Sequence, residues 1–271
     1  MKKKGILLSV ILCTIFLTTM HANAEEWVKF EGKTMYGKEL PLTGILNIPK
    51  GKGPFPAVVM LCGCGGLKNE GDAKQQKAWA KLLMSWGYVS LQVDSFGPRG
   101  YDSICDMPSK VSDGMRALDA YSAKSCLAKL NYVDSKNIAV IGWSHGGWTI
   151  MRIVEGWHRD KGVEPFQAAI AFYPWCESFL TAFDTPLLIL IGEKDDWNPA
   201  DRCETLKNLG TVKDSKYECR LKIYPNAYHN FDFKGLKEDM YGHHVEYNPE
   251  AAADAIIKTK EFLAEYLKTT K

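Results

Sequence analysis

This chain of 271 residues is poor in the features that would take it out of the globular enzyme classes. It has no internal repeat, no low-complexity tract and no long Pro/Gly linker, which argues against solenoids, disordered segments and tethered modules. A charge excess is missing too: 34 basic side chains stand against 32 acidic ones, so neither a nucleic-acid backbone nor an anionic membrane is implied as a partner. No CxxC pair occurs, and Cys62-Gly63-Cys64 has the wrong spacing for a zinc knuckle or a dithiol redox motif. The pair His243-His244 has no acidic partner pattern beside it. No metal and no cofactor are therefore expected. Beyond the first two dozen residues, no apolar run approaches the roughly 20 residues that a membrane-spanning helix needs.

Apolar residues do concentrate at the start. Lys2, Lys3 and Lys4 precede an apolar run over 5–20, and small residues stand at Ala22 and Ala24, the layout of a cleavable secretory signal. The run is short for an anchor and no basic stop-transfer flank follows it. Leu12 stands before Cys13, where a lipoprotein signal would want a small residue. The expectation is a signal peptide over 1–24, a single domain over 25–271, and a periplasmic or secreted protein. Loss of the three lysines leaves 31 of the 34 basic side chains against 32 acidic ones, a net charge of −1. Cys13 departs as well, leaving Cys62, Cys64, Cys105, Cys126, Cys176, Cys203 and Cys219. An oxidising compartment favours disulfides, and the odd count leaves at least one thiol unpaired within the chain.

The remainder alternates short β-like runs with amphipathic segments, the signature of a mostly parallel central sheet with helices on both faces. Strands are predicted over 27–30, 40–48, 55–61, 88–93, 137–142, 167–173, 187–191 and 220–224. The run over 55–61 is apolar enough to be central. Helices are predicted over 75–86, 112–130, 146–155 and 249–267, the first stopped by Gly87 and the last opened by Pro249.

The chemistry concentrates at strand ends. Residues 137–147 form an apolar strand that runs into Gly142-Trp143-Ser144-His145-Gly146 and then a helix. This is the G-x-S-x-G nucleophile elbow in its strand-turn-helix setting, where side chains two residues before and after the serine would collide. A serine hydroxyl is a weak nucleophile and needs a base, itself oriented by an acid. The strand over 187–191 ends in Gly192-Glu193-Lys194-Asp195-Asp196, which offers Asp195 as the acid and Asp196 as the alternative one place on. His229 follows a strand end and a loop, in the chain order Ser, Asp, His. The glycine-rich loop over 61–66 predicts a backbone oxyanion donor at Cys64, paired with the N–H of His145.

These residues resemble the dienelactone hydrolase family, specifically its exported serine-type branch within the α/β-hydrolase superfamily. The likeness covers Gly63-Cys64-Gly65-Gly66-Leu67, the segment over 93–100, the elbow over 142–148, the acid loop over 192–197 and Tyr224-Pro225-Asn226-Ala227-Tyr228-His229. It implies an α/β-hydrolase fold and places Ser144, Asp195 and His229 on the family's triad positions. The founding enzymes of the family use a cysteine nucleophile with a glutamate in the loop after strand three, whereas this chain has Ser144 and Gly63. Exported relatives commonly carry His-Gly where this chain has Cys62-Gly63. The arginine that would follow the triad histidine and hold a substrate carboxylate is missing from 230–234. Arg99 remains as a candidate anion contact, with a structural pin as the other reading.

The expected function is an exported serine hydrolase that cleaves a carboxylic ester or lactone through an acyl-enzyme, with a small-molecule substrate. The competing readings are a peptidase or amidase of the same fold, and a non-catalytic binding protein that retains it. The segments after strands 167–173 and 187–191 leave the same sheet edge from consecutive strands, so Cys176 and Cys203 are expected to form a disulfide, with Cys64 and Cys105 as a further or competing pair.

Overall fold

The computed structural model describes residues 25–156, 159, 162–176, 183–209 and 215–268. The expected signal over 1–24 lies outside the described residues. The chain order is β1 (Glu26–Lys33), β2 (Glu39–Asn47), β3 (Phe55–Leu61), α1 (Glu70–Ser85), β4 (Val89–Asp94), α2 (Asp113–Ala128), β5 (Val133–Trp143) and α3 (His145–Glu155). Then come β6 (Ala169–Phe172), β7 (Leu187–Gly192), α4 (Ala200–Asn208), β8 (Cys219–Tyr224), β9 (Lys237–Met240), β10 (His243–Glu246) and α5 (Pro249–Tyr266).

Eight strands form one sheet in the order β1-β2-β4-β3-β5-β6-β7-β8. β2 runs antiparallel to both β1 and β4, and every pairing from β4 across to β8 is parallel. β4 and β7 are buried along their whole length, as is β3 except at Phe55, so these segments read as unbroken apolar runs. The edge strand β1 buries only Phe30 and Gly32 and spends its other side chains on solvent or on partial cover.

Connection hand sets where the helices go. From β3 the chain steps to β4 on one side and then to β5 on the other. Right-handed crossovers therefore put α1 and α2 on opposite faces. α2 packs against α3 on one face. On the other, Lys260 of α5 lies over the Trp86 ring that ends α1. Three helix starts are capped by side chains the sequence supplies: Asn69 for α1, Ser112 for α2 and Asn248, just ahead of Pro249, for α5. The reversal of direction at β3 opens a crevice between the carboxyl ends of β3 and β5, where a doubly wound sheet binds its ligand.

One hydrophobic cluster extends from Phe30 in β1 to Leu267 just past α5. A smaller one, made of Cys62, Leu67, Phe96, Ile104 and Val111, sits under the loops that follow β3 and β4. Among the described residues, no helix is long and apolar enough to cross a membrane.

Candidate active site

Every residue of the site leaves the carboxyl edge of the sheet. Ser144 stands between β5 and α3 with φ 51° and ψ −114°, a conformation an L-residue adopts only when its surroundings enforce it. The flanking glycines make the turn possible. A side chain at Gly142 would strike the carbonyl of Gly146, and one at Gly146 would strike the carbonyl of Leu61 in β3. The tight turn lifts Ser144 Oγ out of the sheet, 2.9 Å from Nε2 of His229.

His229 comes from the loop after β8, and its Nδ1 lies 2.8 Å from Oδ2 of Asp195, in the loop after β7. The remaining oxygen of Asp195 accepts the backbone N–H groups of Trp197 and Asn198, at 3.0 and 2.7 Å. A carboxylate can only accept, so Nδ1 carries the imidazole hydrogen and Nε2 is left to accept from the serine hydroxyl. Both Asp195 and His229 are buried. Thus the three residues singled out in the sequence form one continuous hydrogen-bonded line. Asp196, one place on, points elsewhere: its Oδ1 lies 3.3 Å from Nδ1 of His243 in β10.

The loop after β3 passes close to the elbow: a side chain at Gly63, the residue before Cys64, would meet Cβ of Ser144 at 3.8 Å. Among the described residues, neither the backbone N–H of Cys64 nor that of His145 has an acceptor. Cys64 is tied by a disulfide to Cys105, with Cα atoms 4.8 Å apart, and its carbonyl accepts from the backbone of Ile104 at 2.9 Å. Cys176 and Cys203 form a second disulfide with Cα atoms 5.0 Å apart, so both pairs occur together. Cys62, Cys126 and Cys219 are not in disulfides. The thiol of Cys62 is buried, and burial pushes it up to about 12, which keeps it protonated and inert.

Arg99 is not free for a substrate anion. Its guanidinium makes a two-pronged pair with Asp119 of α2, at 2.8 and 2.9 Å, and Nη1 also donates to the carbonyl of Ser95 at 2.7 Å. Asp119 is fully buried, and moving its ion-pair partner to a ligand would leave that carboxylate without a hydrogen-bonded cation. The expected anion contact is therefore corrected to a pin that holds the loop after β4. His244 also finds protein partners, in Asp239 and Glu246.

Three residues that sequence reading passed over hold the site together. Asp232, three places after His229, accepts from Gln75 and Trp79 of α1, from Trp143 of the elbow and from the hydroxyl of Tyr173, all within 3.1 Å. Burial raises the pKa of Asp232, and the hydrogen bonds from Trp79, Tyr173 and Trp143 work against that rise. Tyr173 lies just beyond β6, and its ring packs 4.5 Å from that of His229. Asp72 of α1 sits against Gly63 and Gly65, where any side chain on the loop would collide with its carboxylate. Burial pushes Asp72 up to about 6, against the opposing pull of the Gly63 N–H, Arg116 and His229.

The family model of the dienelactone hydrolases matches residues 42–267 of the chain. Esterase FrsA of Escherichia fergusonii is 34% identical over 120 residues, which cover 42% of this chain and 25% of that protein. The chain thus spans about a quarter of the length of the curated relatives it matches. Among solved structures, a putative dienelactone hydrolase from Klebsiella pneumoniae superposes with a TM-score of 0.67 at 19% identity, covering 90% of this chain and all of that one. Dipeptidyl peptidase 4 of Porphyromonas gingivalis superposes with a TM-score of 0.64 at 20% identity, covering 91% of this chain but 36% of that one. At such identities the likeness shows the shared α/β fold.

Proposed function

Because the chain belongs to the dienelactone hydrolase family, we propose that it is an exported serine hydrolase that cleaves a carboxylic ester or lactone through an acyl-enzyme on Ser144. The observation that carries this reading is the line Ser144–His229–Asp195, closed at 2.9 and 2.8 Å. In the first step Ser144 Oγ attacks the carbonyl carbon while its proton passes to Nε2 of His229. The carbonyl oxygen gains the negative charge and accepts from the N–H groups of Cys64 and His145, the latter also at the start of α3. The imidazolium is balanced by Asp195. Nε2–H then protonates the departing alkoxide as the C–O bond breaks, leaving the acyl group on Ser144. Water repeats the sequence: its proton goes to His229, its oxygen to the acyl carbon, and the serine leaves with that proton.

Export is supported by the layout of residues 1–24 and by two disulfides, which persist in oxidising compartments. The test is a panel of aryl esters, lactones and peptide amides run against wild type and Ser144→Ala. Ester or lactone turnover that falls by about 10⁵ or more in the variant is expected, together with phosphonate labelling at Ser144. Equal turnover by both proteins refutes the serine mechanism, and faster cleavage of amides than esters moves the reading to a peptidase or amidase.

A further inference from the structure

Arg116 of α2 is fully buried, and among the described residues no carboxylate lies within ion-pair distance of it. A desolvated guanidinium is costly unless its neighbours offset the loss of water. Its two terminal nitrogens go to two different loops. Nη1 donates to Nδ1 of His145 at 2.9 Å, and Nη2 donates to the carbonyl of Cys62 at 2.7 Å. The face of the guanidinium lies 4.9 Å from the centre of the Phe96 ring. Since an arginine can only donate, Nδ1 of His145 accepts, and Nε2–H donates to the carbonyl of Pro108 at 3.1 Å. Burial, with Arg116 beside it, pulls His145 down to about 3, so the ring stays neutral and keeps this arrangement.

His145 follows the nucleophile, and Cys62 lies two residues before Cys64. The two loops so joined carry the two N–H groups assigned above to the oxyanion. We infer that Arg116 is a positioning residue for the oxyanion hole: its fork sets the spacing of the His145 and Cys64 N–H groups and fixes a positive charge behind them. The inference rests on the serine-hydrolase reading. A planar fork holds two acceptors in one geometry, which an ammonium group cannot do. Its charge acts in a water-poor interior, where it favours the oxyanion over the neutral carbonyl. The Cys64–Cys105 disulfide secures the same loop from its other side.

The experiment compares wild type with Arg116→Met, which removes fork and charge, and Arg116→Lys, which keeps the charge. Arg116→Met is expected to lower kcat by about 100-fold with KM changed less than about threefold, the pattern of a contact made in the transition state. Arg116→Lys is expected to recover no more than about tenfold of that loss. Affinity for a boronic acid that adds to Ser144 should fall in parallel with kcat/KM. Where Arg116→Met fails to fold, His145→Ala and His145→Asn replace it, since both keep the backbone N–H and only asparagine offers an acceptor near the place of Nδ1. His145→Ala should lower kcat and boronate affinity, and His145→Asn should restore both. A folded Arg116→Met with wild-type kcat and boronate affinity overturns the inference, as do two His145 variants that behave alike. Wild type that takes no phosphonate at Ser144 overturns the enzymatic reading and this inference with it.

Discussion

Two aspartates stand side by side in the loop after β7, and each meets a histidine across the same indole. Asp195 reaches His229 at 2.8 Å, and Asp196 approaches His243 at 3.3 Å. The Trp197 ring lies between the two imidazoles, 5.1 Å from His229 and 4.8 Å from His243. The side chains of the first pair are 1% and 0% exposed, those of the second 32% and 57%. Residue type alone therefore does not make a buried, aligned pair. The first is shut away from water, its spare carboxylate oxygen is filled by two backbone N–H groups, and its second imidazole nitrogen meets a serine. The second pair shares its surroundings with solvent, where a charge contact contributes little.

The comparison breaks most decisively at Asp195. Asp195→Asn keeps the shape but presents an amide that can hold the imidazole in the wrong tautomer, so kcat is expected to fall by about 10⁴. Steady-state kinetics on an aryl ester checks this, and a far larger loss in Asp196→Asn than in Asp195→Asn would move the acid to Asp196.

The next effect is at Asp232, which ties the His229 loop to the elbow through Trp143 and to α1 through Trp79. Asp232→Asn turns one acceptor oxygen into a donor that faces other donors, and the His229 loop must shift. A displacement on the order of 1 Å from the reactive geometry costs about 100-fold in rate. The expected signature is a lower kcat with phosphonate still reaching Ser144, and an unchanged kcat would show that the four-donor hub serves stability alone.

Why Asp195 was legible in the sequence and Asp232 was not comes down to distance along the chain. The elbow, the acid loop and the histidine loop each announce themselves through an apolar strand that ends in glycine or turn residues, and β3 and β7 are unbroken apolar runs whose predicted spans match the structure to within a residue. Asp232 takes its meaning from Gln75, Trp79 and Trp143, which lie 157, 153 and 89 residues away. Arg99 stays open between an anion contact and a pin in the sequence because its partner, Asp119, sits on another element and has no local pattern to betray it. The β9–β10 hairpin was missed for a different reason: Lys237–Met240 is polar and mostly exposed, and His243–Glu246 is polar apart from the buried Val245, so no alternation of apolar and polar residues marks them as strands. α1 begins at Glu70, five residues before the predicted start, because its first turn is capped by Asn69 and carries no apolar periodicity.

Asp72 gives a smaller effect, read in stability against pH. Burial raises its folded pKa to about 6 from 3.8, so the native state holds this proton more tightly than the unfolded chain does. The stabilisation is fully present below 3.8 and is lost as pH rises through about 6. At about 1.4 kcal/mol per unit of difference, the loss is on the order of 1 to 3 kcal/mol. Denaturant unfolding at pH 4.5 and 7.5 should show wild type losing stability relative to Asp72→Asn over that interval. Parallel curves for the two proteins would assign the slope to other groups.

The smallest effect is expected at the outer pair, and it sharpens the comparison most. Asp196→Asn and His243→Ala each remove one member of an exposed pair that, among the described residues, has no hydrogen-bonded path to Ser144. If burial and backbone support make the difference, kcat changes by less than about threefold in either variant, in line with the roughly 0 to 1 kcal/mol of exposed ion pairs. His243→Ala also uncovers one face of Trp197, whose other face packs on His229, so any change should come from ring packing rather than charge. His243→Phe separates the two, since it restores a flat ring without a titratable nitrogen. Wild-type kcat in Asp196→Asn and His243→Phe, with a modest drop in His243→Ala, assigns His243 to supporting the indole. A fall of tenfold or more in Asp196→Asn would show that the two aspartates act as one unit, and the contrast between buried and exposed pairs would have to be abandoned.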